Sequence, residues 1–506
     1  MRQISAIFGV GAAWLARFLR AQGGNSAMVF GLSLVTLLTS AGAGVDFARA
    51  MMVRNRVAAA LDAAALAVGG QQNLNQQQLQ SLAQQYFDAN YPTSEIGVLG
   101  PVSVSLIGDV ISLSVAASVP TTLLKIANFD TIDMGVTNEV TRGSLALEVA
   151  LVLDNTGSMA GSKITALKTA ATTLVDTLSG NSSSPAKLKI GVVPFTQAVR
   201  VSTVAALAGG WIDTTCASSV AKLNFNNNMC AFTVLATMNP STKWGGCVES
   251  RPILVEVQDT APSLTTPDTL WVPYFQPDEP DTNDSGIDDD YTNHYIDDGT
   301  STSNELTRLM RSAKYIGKSQ NSNVNSNCNM PAILPLSNDM TAVKSVINSM
   351  GAAGYTHIPL GAAWGWRVLS PAAPYTEGVA YDDGKTQKAM ILMTDGENTM
   401  PSQSTMNKSR YTAFGYLRQG RLGTVSSISG AEQKMDQMLT DVCNNIDQKG
   451  IRIYTIGFAI STQNVLTLLK NCATEPSMFY NSPTAADLQA AFSSIATDLS
   501  NLRLSK

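Results

Sequence analysis

Two hydrophobic runs, each stopping at an aspartate, constrain this chain more than anything else in it. The first runs from Leu145 to Asp154 within "LALEVALVLDNTGSM"; the second ends at Asp395 within "KAMILMTDGENT". Near-continuous apolar strands of this length must be covered on both faces. The segments "LKIGVVPF" and "GIRIYTIGFAI" read in the same way, and helical patterns lie between the runs. After Ser162, the residues Ile164, Leu167, Ala171, Leu174 and Leu178 fall on one helix face, and further amphipathic helices are expected from about Ala431 and from Ser461. Strands alternating with helices predict an α/β fold, a doubly wound parallel sheet.

In such a sheet, ligands sit beyond the carboxyl ends of the strands, where the winding reverses. Asp154 and Asp395 end two strands, Thr156 and Ser158 follow the first, and Thr356 lies in "GAAGYTHIPLGAAWGW". Two carboxylates and three hydroxyls suit a hard six-coordinate cation, Mg²⁺ before Mn²⁺ or Ca²⁺. Asp-x-Thr-Gly-Ser after a strand is also helix-capping chemistry, in which the hydroxyls only satisfy free N–H groups. Asp154-Asn155-Thr156-Gly157-Ser158, with Thr356 and Asp395, resembles the metal-ion-dependent adhesion site (MIDAS) of a von Willebrand factor A domain. Thr156 stands where that family's Asp-x-Ser-x-Ser pattern has its first serine. The resemblance implies that Thr156, Ser158 and Thr356 ligate directly, that Asp154 and Asp395 act largely through water, and that a partner protein's carboxylate completes the shell.

Near the front, Ala27 to Val45 is a run of nineteen residues without a charge, enough to span a bilayer as a helix. A cleaved signal peptide is the competing reading, but strong helix formers continue to Gly69 with no clear cleavage site, which favours an anchor. Arg2, Arg17 and Arg20 precede the span and Arg49, Arg54 and Arg56 follow it, so the positive-inside rule gives no orientation. The segment from about 15 to 70, "FLRAQGGNSAMVFGLSLVTLLTSAGAGVDFARAMMVRNRVAAALDAAALA", resembles the N-terminal segment of TadE/TadG-like proteins of the Flp (tight adherence) pilus system. Pseudopilins of that system carry a glutamate five residues after a cleavage glycine. With Gly24 as the counterpart, Val29 holds that place, which favours a permanently anchored chain over a processed one.

Between the anchor and residue 143, Leu74, Leu79, Leu82 and Phe87 suggest a short amphipathic helix. Val102, Val104 and Leu106, then Val110, Ile111, Leu113 and Val115, flank Gly108-Asp109 as a β-hairpin. The expected organisation is therefore an anchor segment 1–70, a small helix-plus-hairpin spacer 71–142, and a von Willebrand A-like domain 143–506 with an insertion at about 200–331, since such a domain needs only about 200 residues.

The insertion holds Cys216, Cys230, Cys247 and Cys328; Cys443 and Cys472 lie beyond it. An even count without Cys-x-x-Cys favours an oxidising compartment and up to three disulfides, with six buried thiols as the alternative. Among the fifteen full pairings, Cys443–Cys472 is expected because the helices before and after one strand of a wound sheet can be neighbours. Cys247–Cys328 and Cys216–Cys230 would staple an insertion with few hydrophobic runs. Asp278 to Asp298 carries nine carboxylates and no Lys or Arg. There Asp281, Asn283, Ser285 and Gly286 match half of an EF-hand loop, but Thr292 stands where the closing glutamate belongs, so a solvated acidic loop is expected rather than calcium. Fragments of the insertion, "KWGGCVESRP", "LWVPYFQPDEPDTNDSGIDDDY" and "YIDDG", again resemble TadG-like proteins.

The chain has a net charge of only −5, which gives no basic field for nucleic acid. Only two histidines, His294 and His357, are present, and no nucleophile elbow, zincin or Walker motif occurs. The two resemblances together imply a non-enzymatic, single-pass protein of a bacterial inner membrane, and the cysteines, which favour an oxidising compartment, place its large C-terminal part in the periplasm. It would serve pilus assembly or adhesion by metal-dependent binding to pilus or envelope proteins. The alternatives are a structural tether whose site is empty or only stabilising, and a metal-using hydrolase, which lacks a general base.

Overall fold

The computed structural model describes residues 23–502 except 70–73, 75, 93, 108–109, 142–144, 181–186, 227–228, 239–242, 282–295, 300–301 and 319–321. The chain divides into two compact units, Met1–Arg142 and Gly143–Lys506.

The first unit is organised by one long helix, α1 (Gly23–Gly69). Its two halves have different surroundings. From Met28 to Phe47 the large apolar side chains are exposed, and this part is long and apolar enough to cross a membrane. From Ala50 onward, Val53, Val57, Ala60, Leu61, Ala64 and Val68 recur at helical spacing and are buried. They pack on α2 (Gln76–Asn90), through Leu79, Ala83 and Phe87, and on an antiparallel sheet. In that sheet β3 (Val110–Pro120) pairs on one side with β1 (Val98–Leu99) and β2 (Ser103–Ile107), and on the other with β4 (Thr131–Thr141). Ile111, Leu113, Val115, Ala117 and Val119 alternate into the core, as a half-covered strand requires. Ile107 faces Val110 across the hairpin, whose Gly108-Asp109 turn lies outside the described residues.

The second unit is a three-layer α/β fold. Its six-stranded sheet runs β7 (Leu334–Ser337), β6 (Leu188–Phe195), β5 (Ala146–Asp154), β8 (Thr386–Thr394), β9 (Arg452–Phe458), β10 (Phe479–Ser482). All pairings are parallel except β7 with β6. Leu147, Val149, Leu151 and Leu153 of β5 face one core, shared with α3 (Ser162–Gly180), α4 (Met340–Ser349) and α8 (Ala485–Leu502). Ala150 and Val152 face the other, shared with α5 (Ile358–Leu369), α6 (Ile428–Asp447) and α7 (Gln463–Cys472). The uninterrupted apolar character of β5 follows from this double coverage.

The chain leaves β5 for β6 on one side and β8 for β9 on the other, so the winding reverses between β5 and β8. Crevices at such reversals are where open α/β sheets bind ligands.

The insertion between β6 and β7 corrects two expectations. It is not held by its disulfides alone: despite few hydrophobic runs, Trp211, Trp271, Phe275 and Tyr315 are buried and continue the α5–α6 core. The Arg251 guanidinium lies 4.1 Å from the Trp271 ring centroid. Nor is the described part of the 278–298 segment a solvated loop throughout: of its five acids only Asp297 is exposed. Asp278, Glu279, Asp281 and Asp298 are all buried. The Lys314 ammonium stands 3.0 Å from Asp278 Oδ2 and 2.9 Å from Asp298 Oδ1. Buried carboxylates are tolerated when a cation and hydrogen bonds meet them, and this cation comes from outside the acidic run. Asn283, Ser285, Gly286 and Thr292 lie outside the described residues.

The cysteines pair as Cys216–Cys230, Cys247–Cys328 and Cys443–Cys472. The last joins α6 to the end of α7, on either side of β9 in the chain. Non-reducing peptide mapping should recover these three linked pairs. Replacing Cys443 and Cys472 together by alanine opens a loop with a sequence separation of 29. It should lower the unfolding free energy by about 3–4 kcal/mol, read by guanidinium unfolding.

Candidate metal centre

Strand pairing places Leu153 opposite Met393, which brings Asp154 beside Thr394 and just short of Asp395. Asp154 is fully buried, and both its oxygens are engaged. Oδ1 accepts the Thr156 N–H (2.8 Å) and Oδ2 accepts the Thr394 hydroxyl (2.7 Å). The Thr156 and Ser158 hydroxyls are 3.0 Å apart, and the Ser158 hydroxyl donates to Asp395 Oδ1 at 2.6 Å. Four of the five expected residues therefore form one hydrogen-bonded chain, Asp154–Thr156–Ser158–Asp395.

Helix capping does not explain the Thr156 hydroxyl. Thr156 precedes the short 3-10 helix Gly157–Met159, yet its side chain makes no capping bond. Both loop hydroxyls turn to the aspartates and to each other.

Thr356 is held close by, through its backbone. The Gly157 N–H donates to Gly354 O (3.0 Å) and the Ala353 N–H to Asn155 O (2.9 Å), which fastens the loop before α5 to the loop after β5. Gly354 has φ +77°, and a Cβ there would meet Gln197 Oε1 at 2.9 Å, so glycine is required. On the far side, the Thr356 N–H donates to Thr399 Oγ1 (3.0 Å), the Thr399 N–H returns to Thr356 O (2.9 Å), and the Ile358 N–H donates to Asn398 Oδ1 (2.8 Å). The three loops form one wall. Among the described residues, the Thr356 hydroxyl is not part of the hydrogen-bonded chain.

Three residues of the site escaped the sequence reading. Thr394 ends β8 and bonds Asp154; Asn155 ties the first loop to Gly351 O through Nδ2 (3.0 Å). The third, Lys163, opens α3 and sets its ammonium 2.6 Å from Asp395 Oδ2. The "GSK" that starts the helix carries this lysine in plain view, but spacing alone does not say which carboxylate it meets.

The electrostatics are those of a site short of positive charge. Burial pushes the Asp154 carboxyl up to about 6, and the Asp395 carboxylate adds to the push. Among the described residues Lys163 forms its ion pair with Asp395, from a position about one third exposed. The donors are all oxygens, Ser158 and Lys163 keep the site open to solvent, and the buried carboxylate lacks a cation of its own. These features fit a hard divalent cation. Among the described residues no three His, Cys, Asp or Glu side chains converge, so such an ion would depend on hydroxyls and water as much as on carboxylates. His357, next to Thr356, lies buried with its ring 5.2 Å from that of Phe414, and burial pushes its pKa down to about 3. It is a neutral core residue and not a base for hydrolysis.

Residues 24–72 match the family model described as "Putative Flp pilus-assembly TadE/G-like". No curated protein matches the chain. Among solved structures, the pilus adhesin SpaC from Lactobacillus rhamnosus GG is similar at 10% identity and TM-score 0.34, over 79% of this chain and 34% of that one. The present chain thus spans about a third of SpaC's length. The von Willebrand factor domain of the type V pili tip protein Mfa5 from Porphyromonas gingivalis is similar at 10% identity and TM-score 0.34, over 72% of this chain and 97% of that one. Proximal thread matrix protein 1 from the mussel byssus, solved with a zinc-occupied MIDAS motif, is similar at 13% identity and TM-score 0.28, over 72% of this chain and 47% of that one. Likenesses this distant say nothing about the metal or partner of this chain.

Two substitutions test the site. Wild-type protein should melt higher in Mg²⁺ than in EDTA, by about 2.7 kcal/mol of stabilisation at a hundred times the dissociation constant, and Ser158→Ala should lose that difference. Lys163→Gln removes the competing ammonium. It should tighten Mg²⁺ binding about fivefold, the order of one partly exposed ion pair, read by calorimetric titration.

Proposed function

We propose that this chain is a membrane-anchored, TadG-like protein of pilus assembly or adhesion, whose second unit binds a protein partner through a divalent cation at Asp154, Thr156, Ser158, Thr356 and Asp395. The observation that carries the proposal is the hydrogen-bonded chain of two carboxylates and two hydroxyls at the reversal of the sheet. Mg²⁺ suits these oxygens best, with Mn²⁺ or Ca²⁺ as substitutes. The ion would leave room for an incoming carboxylate, and the solvent-open side at Ser158 is where a partner's acidic side chain would arrive. Among the described residues the one histidine near the site, His357, is buried and neutral, and the role proposed is binding and not catalysis.

The family match at residues 24–72 supports placement in a Flp-type pilus system, and pilus or envelope proteins are the expected partners. The exposed apolar half of α1 supports a single-pass anchor. The three disulfides support an oxidising compartment for the second unit, hence the periplasmic side of a bacterial inner membrane.

One observation favours a second reading. Lys163 already neutralises Asp395, as a site that is permanently without metal would require. The chain would then be a structural tether of the pilus complex. Capture of envelope proteins on the immobilised full-length protein separates the two. The binding reading expects a partner recovered in Mg²⁺, lost in EDTA and lost with Ser158→Ala; a partner recovered equally in all three supports the tether. Orientation is tested separately by a reporter fused after Lys506 that is active only in the periplasm. Signal from a cytoplasm-only reporter at the same place would reverse the assignment.

A further inference from the structure

We propose that the β3–β4 loop of the first unit, Thr121–Asp130, is a membrane-docking loop. Its side chains Leu123, Ile126 and Phe129 enter the interface of the same bilayer that α1 crosses, with Lys125 at the level of the phosphates. The proposal rests on the reading of α1 as a membrane span.

The loop displays apolar groups where a surface connection would ordinarily be polar. Ile126 is 78% exposed, Phe129 63% and Leu123 39%. It is also a closed and ordered turn. Leu124–Ala127 forms a short 3-10 helix ended by Asn128, whose φ is +65°. The Asn128 N–H donates to Lys125 O (3.0 Å), the Phe129 N–H to Leu124 O (3.2 Å) and the Thr121 N–H to Asp130 O (3.0 Å). Leu123 and Ile126 are three residues apart, the spacing that stacks side chains on a helix of three residues per turn.

What identifies the occupant is the height at which the loop is fixed on α1. The Asp46 carboxylate is buried and accepts the N–H groups of Thr122 (3.0 Å), Leu123 (2.8 Å) and Leu124 (2.8 Å), and Arg49 bonds the Thr122 hydroxyl. Below Asp46, Leu123 rests directly on Gly42: a Cβ at Gly42 would lie 2.5 Å from Leu123 Cβ. Gly42 stands three residues inside the end of the uncharged run at Val45, roughly 4–5 Å along a helix rising 1.5 Å per residue. Leu123 therefore lies at the depth of the apolar span. Around the same level Val45 and Phe47 of α1 are 53% and 60% exposed. A lipid layer that covers Val45 must touch Leu123, and Ile126 and Phe129 belong to the same turn. An exposed aromatic and a lysine beside the apolar pair are the composition of a membrane interface. The three N–H groups on Asp46 are what allow a carboxylate to stand at this boundary.

The test uses full-length protein in phosphatidylcholine vesicles with an anionic lipid. All cysteines are in disulfides, so a single added cysteine can carry an environment-sensitive fluorophore. Probes replace Leu37 in the span, Ile126 and Phe129 in the loop, and Thr137, exposed along β4. Quenching is by lipids carrying a spin label deep in the acyl chain or close to the headgroup. The deep label should quench Leu37→Cys, the shallow label should quench Ile126→Cys and Phe129→Cys, and neither should quench Thr137→Cys. An unquenched Leu37 probe overturns the membrane span itself. A quenched Leu37 probe with loop probes that behave like Thr137 overturns the docking loop and leaves the span standing. As a second arm, Ile126→Ser with Phe129→Ser alters only exposed side chains and should reduce shallow quenching of a Lys125→Cys probe at least threefold; unchanged quenching also overturns the loop.

Discussion

A buried carboxylate at the end of a central strand is the constraint around which the second unit is arranged. Asp154 lies at the seam between β5 and β8, where there is no water to solvate it. Its oxygens must be met by protein groups or by an ion. The neighbouring strand supplies the Thr394 hydroxyl and the following loop supplies the Thr156 N–H. The second carboxylate, Asp395, then needs its own partners, and these are the Ser158 hydroxyl and the Lys163 ammonium. Both come from the chain that leaves β5, so its path into α3 is set by the same carboxylates. The loop before α5 is drawn in by backbone bonds to Asn155 and Gly157 and by the Thr399 pair. The ammonium meets Asp395 alone and leaves the buried Asp154 without a cation, which is the physical basis of the cation proposal.

The two units solve the problem of apolar surface differently. In the second, helices on both faces and the insertion cover the sheet almost completely. The insertion extends that core and sets Trp271 between its own Arg251 and the Arg367 of α5, so its long chain is anchored by aromatic packing as well as by disulfides. In the first, one helix serves two environments. The stretch beyond Ala50 is the core of a small α+β module, and in the stretch before Asp46 the large apolar side chains from Met28 to Val45 are exposed. Asp46 is the hinge between these roles, since it ties the module's β3–β4 loop to the helix where its apolar surface ends.

Much of this was legible in the residues. Continuous apolar runs ending at Asp154 and Asp395 imply buried parallel strands with carboxylates at their C-terminal ends, because only double coverage tolerates strands without polar alternation. Alternation around Gly108-Asp109 implies the hairpin, and the uncharged run followed by helix formers implies α1. These features are local, and periodicity reports local surroundings well. The Cys443–Cys472 pair was also within reach, since it follows from two helices flanking one strand.

Other features depended on which distant segments meet, and periodicity carries no such information. The nine carboxylates between 278 and 298 read as a solvated loop, yet Asp278 and Asp298 are buried against Lys314, which folds back onto them from outside the run. Whether the Thr156 and Ser158 hydroxyls cap a helix or face a carboxylate was settled by the position of Asp395, more than two hundred residues away in the chain. The choice of Lys163 as the partner of Asp395 depended on the first turn of α3 lying over the end of β8. By itself the sequence determined the buried central strands, the helices that flank them and the long apolar helix, because burial periodicity is written residue by residue. Only the tertiary structure decided which charges face one another, because an ion pair or a shared proton needs atoms within about 3 Å, and that proximity belongs to the packed chain alone.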